Sequence, residues 1–439
     1  MWRITPALVA SLAAAVAHAQ LGVSPVRVPL NVPLNVPQVA TLDRTLRGVD
    51  SQLNNAVLQN ARSVQVRTLI RRNRATLEAD PNGAAIVRNE IVALSPSDAD
   101  LALAQTAGFG VAGVRTLDGL DGRIVILQAP LGLSTARALA RLRTLLPAGQ
   151  FDFNHVYSQS GAQDAAAPAA VPADSATVAP PTISGTRVGL IDGGIDDAHP
   201  VFHDVVMHRH GCGAVAVPSE HGTAVASLMV GRSSDFHGAA PGAELYAGDV
   251  YCGVPTGGAV DAVADALAWM VHERVPVINV SLVGPPNVIL ESVVRLVIAR
   301  GFIIVAAVGN DGPAAPPLYP ASYPGVVGVT AVDAHRHALV EAARGPQVRF
   351  AAPGADMVAA KSPQGFEAVR GTSFAAPLVA CLLAAELREP DQAAAVQAIS
   401  DLAARAIDLG AHGLDPQYGY GLVAAGLGPD IRLAGLRAH

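Results

Sequence analysis

Three polar side chains stand at joints of the chain where reactive groups are useful. Asp192 ends the apolar run Arg187-Val188-Gly189-Leu190-Ile191, His221 opens HGTAVASLMVG, and Ser373 opens SFAAPLVACLL. A serine hydroxyl is a weak nucleophile until a base takes its proton, and a neutral imidazole held in one tautomer by a buried carboxylate is such a base. A helix N-terminus adds unpaired N–H groups and the positive end of a dipole, both of which favour negative charge developing on a substrate oxygen. Small Gly371, Ala375 and Ala376 beside Ser373 let a substrate backbone come close. Pro377 is expected to fit because the N–H it lacks is assigned to the first helical turn. Asn310, which closes FIIVAAVGN before the turn residues Asp311-Gly312-Pro313, is a candidate donor to the oxyanion. Each residue alone has an ordinary explanation as a cap, a turn or a surface group. As a set they point to acyl transfer through a covalent serine intermediate.

To meet, these groups must be carried to one place by the elements around them. From Thr186 onward, apolar runs such as RVGLIDG, PVINVSL and FIIVAAVGN alternate with amphipathic ones such as GGAVDAVADALAWMVHERV and NVILESVVRLVIARG. That alternation predicts an α/β domain over 186–430, a doubly wound, mostly parallel sheet covered on both faces. Its ligand crevice belongs beyond the carboxyl ends of the strands, where Asp192 and Asn310 fall. Upstream, residues 86–157 read as strand, helix, strand, strand, helix, strand, a small α+β, ferredoxin-like unit that needs a partner surface to lean on. The Ala- and Pro-rich residues 158–185 read as a flexible, cleavable linker between the two. Residues 20–85 begin with the proline-punctuated VPLNVPLNVP and continue as polar, partly helical sequence whose role is not legible; residues 431–439 form a short tail.

The 439 residues are 51% hydrophobic and 15% charged, enough to bury a large core. A formal net charge of −6, without long runs of one sign, leaves no electrostatic footprint for nucleic acid or anionic lipid. Residues 1–19, MWRITPALVASLAAAVAHA, have an early arginine, an apolar middle and a small-x-small end, the pattern of a secretory signal peptide. A secreted or periplasmic location follows, with no membrane span once the signal is removed. Three cysteines allow one bridge: Cys212 and Cys252 lie in loop-like sequence and Cys381 in an apolar helix pattern, but spacing does not fix the connectivity. His203, His208, His210 and Cys212 offer zinc-type ligands without a second tight pair, so they are read as a loop and not as a metal site. Asp261 and Asp265 share one face of an amphipathic helix and are expected to be solvated.

The stretches GLIDGGIDDAHP, HGTAVASLMVG, AAVGNDGP and GTSFAAPLVA, in that order, resemble the four signature blocks of subtilisin-like serine endopeptidases. YGYGLVAA is similar to that family's closing segment, so the resemblance covers roughly residues 186–426. The order Asp, His, Ser is the one known for subtilisin. The resemblance implies that Asp192 orients and stabilises, His221 acts as base and acid, Ser373 is the nucleophile, and Asn310 completes the oxyanion site with the Ser373 N–H. It implies that residues 86–157 are a propeptide, an intramolecular inhibitor and folding aid whose last strand leads into the cleft, and that polypeptides are the substrates. Ser281, Leu282, Val283 and Gly284 would line that cleft by pairing with an extended peptide. No cofactor is implied; calcium sites are common in the family, but no ligand loop stands out here. His199, in DDAHP, would be structural. Two positions depart from the pattern: Gly193 follows the aspartate where Ser or Thr is usual, and Val283 stands where glycine is usual. Activity with altered rate or specificity is the expectation, and the alternative is a binding protein on this scaffold that has lost turnover. An esterase or lipase would mount its serine in G-x-S-x-G ahead of its histidine, which this chain does not.

Overall fold

The computed structural model describes residue 58 and residues 61–159 and 185–427. The expected signal peptide, most of the linker and the tail lie outside these. A helix α1 (61–72) leads into strands β1 (Leu77–Ala79) and β2 (Ala85–Leu94), helix α2 (Asp98–Thr106), strands β3 (Gly110–Leu117) and β4 (Gly122–Gln128), helix α3 (Thr135–Leu145) and strand β5 (Phe151–His155). The strands form one antiparallel sheet in the order β1-β2-β4-β3, with β5 also on β2. Ser97 starts α2 with a capping box closed by Asp100, and Ser134 caps α3. Such caps contribute about 1 kcal/mol each and fix where the helices begin. The sheet extends upstream of residue 86, because the three-residue β1 is too short to show alternation in sequence.

After the short strand β6 (Ser158–Gln159), seven strands build the second sheet: β7 (Arg187–Asp192), β8 (Met207–His210), β9 (Glu244–Asp249), β10 (Val277–Val280), β12 (Ile303–Ala307), β13 (Val327–Val332) and β14 (Val348–Pro353). Their order is β14-β13-β12-β10-β7-β9-β8 and every pairing is parallel. β7, β10, β12 and β13 are buried almost throughout, which is why they read as unbroken apolar runs. Helices α4 (Glu220–Val230) and α7 (Thr372–Glu386) share the core of one face, and α5 (Val260–His272) and α6 (Val288–Ala299) that of the other. Helix α8 (Gln392–Arg405) packs behind α7. A short strand β11 (Leu282–Val283) pairs with β6, and a hairpin of β15 (Met357–Ala360) and β16 (Phe366–Val369) lies beside α4.

The antiparallel sheet lies on α5 and α6. Val92, Leu117 and Ile124 from it share one apolar cluster with Val263, Leu267 and Val293. Burial of side chains this size contributes about 1.5–3 kcal/mol each, which is the partner surface the small unit lacks by itself. His208 and His210, expected in a loop, sit on the edge strand β8. Met-His-Arg-His carries too little apolar alternation to read as a strand, and its histidines are held by stacking, His208 on Tyr246 and His210 on Trp269.

Candidate active site

The sheet grows from β7 toward β9 on one side and toward β10 on the other, so the crevice falls at the carboxyl end of β7. Asp192 ends that strand and is fully buried. His221 is in the first turn of α4, where Ser219 caps the helix by accepting from the Gly222 N–H. Its Nδ1 lies 3.0 Å from Asp192 Oδ1 and 2.9 Å from Oδ2. An ionised carboxylate only accepts, so the proton of a neutral ring sits on Nδ1 and Nε2 carries the free lone pair. Asp192 Oδ1 also accepts from the Gly193 N–H at 2.6 Å and from Gln159 Nε2 at 3.0 Å.

Ser373 is the second residue of α7 and is fully buried. Gly371 precedes the helix with φ 136°, a left-handed conformation that glycine adopts without strain. Pro377 lies beyond the first turn, contrary to the sequence expectation, and its missing N–H frees the Ser373 carbonyl four residues back. The Ser281 hydroxyl donates to that carbonyl at 3.1 Å, and Asn279 Nδ2 donates to Ser281 Oγ at 2.9 Å. Ser281 thus faces the nucleophile's backbone. Asn310 Oδ1 accepts from the Thr372 N–H at 3.1 Å, and Thr372 Oγ1 from the Gly309 N–H at 3.2 Å, tying the loop after β12 to the start of α7. The ring of Phe374, next to Ser373, lies 5.4 Å from the His221 imidazole. His221 Nε2 and Ser373 Oγ are both buried and, among the described residues, have no hydrogen-bond partner. An unpaired buried polar atom costs about 1–3 kcal/mol, and here two coincide at the base and the hydroxyl.

The segment expected to line the cleft is paired by the chain itself. β6 runs antiparallel to β11, pairing Gln159 with Leu282 and Ser158 with Val283. The preceding Tyr157 is fully buried, donates from its hydroxyl to the Pro285 carbonyl at 2.6 Å, and bonds the Gly258 carbonyl through its N–H at 2.8 Å. Ser158 and Gln159, expected in the linker, are therefore strand, since their hydrogen bonds come from β11 and not from their own sequence. Arg62 of α1 spans the same cleft, donating to the Val283 carbonyl at 3.3 Å and pairing with Asp311 at 3.2 Å. Sequence reading missed Gln159, Tyr157 and Arg62. No local pattern marks them, because their partners are remote.

Asp261 is buried, not solvated: its carboxylate takes Arg115 Nε at 2.6 Å and Asn154 Nδ2 at 2.9 Å, both from the antiparallel unit. Asp265 is half-buried and bonds His210 Nε2 at 2.8 Å. An amphipathic pattern marks a polar face but does not say that another sheet will cover it. His199 bridges the Gly365 carbonyl and the Val201 N–H, a structural role. Cys212 and Cys252 form a disulfide, and Cys381 is buried, which pushes its thiol far up. Among the described residues, Cys212, Asp249 and Cys252 are the one group close enough to hold a metal, but the disulfide consumes both thiolates.

The parallel sheet, its switch point at β7 and the groups gathered there define an α/β fold of serine-peptidase type. Residues 184–421 match the model of the subtilase family, more than half of the chain. The chain is 31% identical over 247 residues to the minor extracellular protease Epr of Bacillus subtilis (strain 168), covering 54% of this chain and 37% of that protein. It is 33% identical over 255 residues to subtilisin BL of Lederbergia lenta, covering 56% of this chain and 90% of that one. The crystal structure of fervidolysin from Fervidobacterium pennivorans superposes with a TM-score of 0.63 at 19% identity, over 78% of this chain and 61% of that one, a likeness of fold. This chain belongs to the subtilase family.

Proposed function

We propose that this protein is an exported serine endopeptidase, made as a precursor that its own residues 86–157 inhibit. Ser373 Oγ attacks the peptide carbonyl while His221 takes its proton; the proton passes to the leaving amine as the C–N bond breaks, and water then releases the acyl group by the reverse use of His221. Asp192 keeps the imidazole in the working tautomer, and Asn310 with the Ser373 N–H receives the charge on oxygen. The observation that carries this reading is the buried His221 held by both carboxylate oxygens of Asp192, with the ring of Phe374, the residue after Ser373 at the head of α7, 5.4 Å from its imidazole. The strand Ser158-Gln159 in antiparallel register with Leu282-Val283 supports a polypeptide substrate and a propeptide that lies where substrate would. The signal-like residues 1–19 and the extracellular relative Epr support export. No cofactor enters the chemistry.

Labelling by a fluorophosphonate probe tests the reading. The processed protein is expected to label at Ser373, and Ser373→Ala is expected to label nowhere and to remain unprocessed between 158 and 185 with a thermal midpoint no lower than its parent's. An intact, folded protein that fails to label would favour a binding protein that has lost turnover, and processing of a pure Ser373→Ala preparation would show that this serine does not cut the chain.

A further inference from the structure

We infer that the substrate position occupied by Gln159 selects an amide side chain, which completes the hydrogen bonding of the Asp192 carboxylate from the substrate side. The inference rests on the peptidase reading above and names a preference within the same cleft. Asp192 is fully buried, and among the described residues only three groups donate to its carboxylate: His221, the Gly193 N–H and Gln159 Nε2. Gln159 is no part of the cleft wall; it belongs to β6, the strand laid against β11 in the way an extended substrate would be.

Gly193 makes this contact possible. A Cβ at that position would lie 2.4 Å from Ser219 Oγ and 3.0 Å from Gln159 Nε2, so a larger residue would displace the Ser219 hydroxyl and crowd the amide. Nor does Ser219 stand in for a hydroxyl at position 193: its Oγ donates to the Gly194 carbonyl at 3.2 Å and accepts from the Gly222 N–H at 2.9 Å. Among the described residues no hydroxyl donates to the carboxylate, and the Gln159 amide reaches Oδ1 from the substrate strand. A neutral N–H donor fits there. An aliphatic side chain removes one charge-assisted hydrogen bond from Oδ1, which keeps the Gly193 N–H and His221, and a carboxylate sets like charge against like. Gln159 acts on the reaction through Asp192, as a positioning group: its donation fixes the carboxylate against the imidazole and draws negative charge away from it.

The test uses the product of the full-length chain's own processing, assayed with internally quenched peptides covering the sequence of residues 151–168. One peptide keeps Gln159, and the others carry Gln159→Leu and Gln159→Glu. The kcat/KM for cleavage C-terminal to position 159 is expected to fall about tenfold with leucine and further with glutamate, the size set by one hydrogen bond to a buried charge. The midpoint of kcat against pH is expected to lie lower with glutamine than with leucine, because a carboxylate that shares its charge with a donor stabilises an imidazolium less. A merely steric fit would leave that midpoint in place. Hydrolysis with leucine within about twofold of glutamine, or with an unmoved midpoint, overturns the inference alone. No hydrolysis of these peptides or of casein overturns the peptidase reading and this inference with it.

Discussion

Gly284 lets the cleft close on its own strand. A Cβ there would lie 2.5 Å from Cδ1 and 2.7 Å from Cγ and Cε1 of Tyr157, a ring with no exposed edge to retreat to. Gly284→Ala in a Ser373→Ala precursor is expected to cost about 1–3 kcal/mol through overpacking. Thermal melts of the two precursors measure it, and equal midpoints would mean that the ring is not lodged as described. At this scale the sequence was most legible where chemistry restricts the residue type. Asp192, His221 and Ser373 stand out as candidates because so few side chains suit such work, and Asn310 because it sits at a strand end; the structure brings Asp192 to His221 and Asn310 to the start of α7. Ser281 could be placed in the cleft but not oriented; that its hydroxyl serves the Ser373 carbonyl follows from Pro377, whose effect falls a turn later than its position suggested. Gln159 was illegible, since an amide side chain is ordinary anywhere until a carboxylate is put beside it.

Helix α1 gives part of the segment before residue 86 an observable place, beside β11 and Asp311. Burial pushes the Asp311 carboxyl up from its ordinary value, and Arg62, through its charge and hydrogen bond, pulls it back. Arg62→Ala removes the opposing cation. A carboxyl whose folded pKa is raised leaves the fold most stable where it is protonated, and stability is then lost as pH rises from the unfolded value near 4 through the raised folded one. The Arg62→Ala precursor, again on Ser373→Ala, is therefore expected to lose more thermal stability between pH 4 and pH 7 than its parent, by about 1 kcal/mol for a partly exposed pair. Parallel stability curves for the two would show that Arg62 does not hold Asp311. Among the elements, the long ones of the parallel sheet were legible from their unbroken apolar runs and capped helices. Short strands such as β1, β6, β8 and β11 were not, because two to four residues show no period and their stability comes from the strand beside them.

On the scale of the whole molecule, what the sequence could not show was how its parts cover one another. Asp152 of β5 accepts from the Val288 N–H at the start of α6, Asn287 bonds the Phe153 carbonyl and His155, and Asp261 of α5 takes Arg115 and Asn154. Each side of that interface reads alone as a solvated polar face. The disulfide works over similar distances within the parallel-sheet domain. Cys212 and Cys252, 40 residues apart, enclose α4 with His221 and the whole of β9 in one loop. Closing a loop of this length removes disorder from the unfolded chain worth up to about 4 kcal/mol. Reduction is expected to lower the thermal midpoint of the processed protein by up to about 16 °C, given about 2–4 °C per kcal/mol for a chain of this size. Because the bridge touches neither His221 nor Ser373, peptidase activity at 25 °C should persist after reduction. A midpoint unmoved by reductant would remove the clip from the account of stability, and activity lost while the fold melts normally would tie the bridge to the site itself.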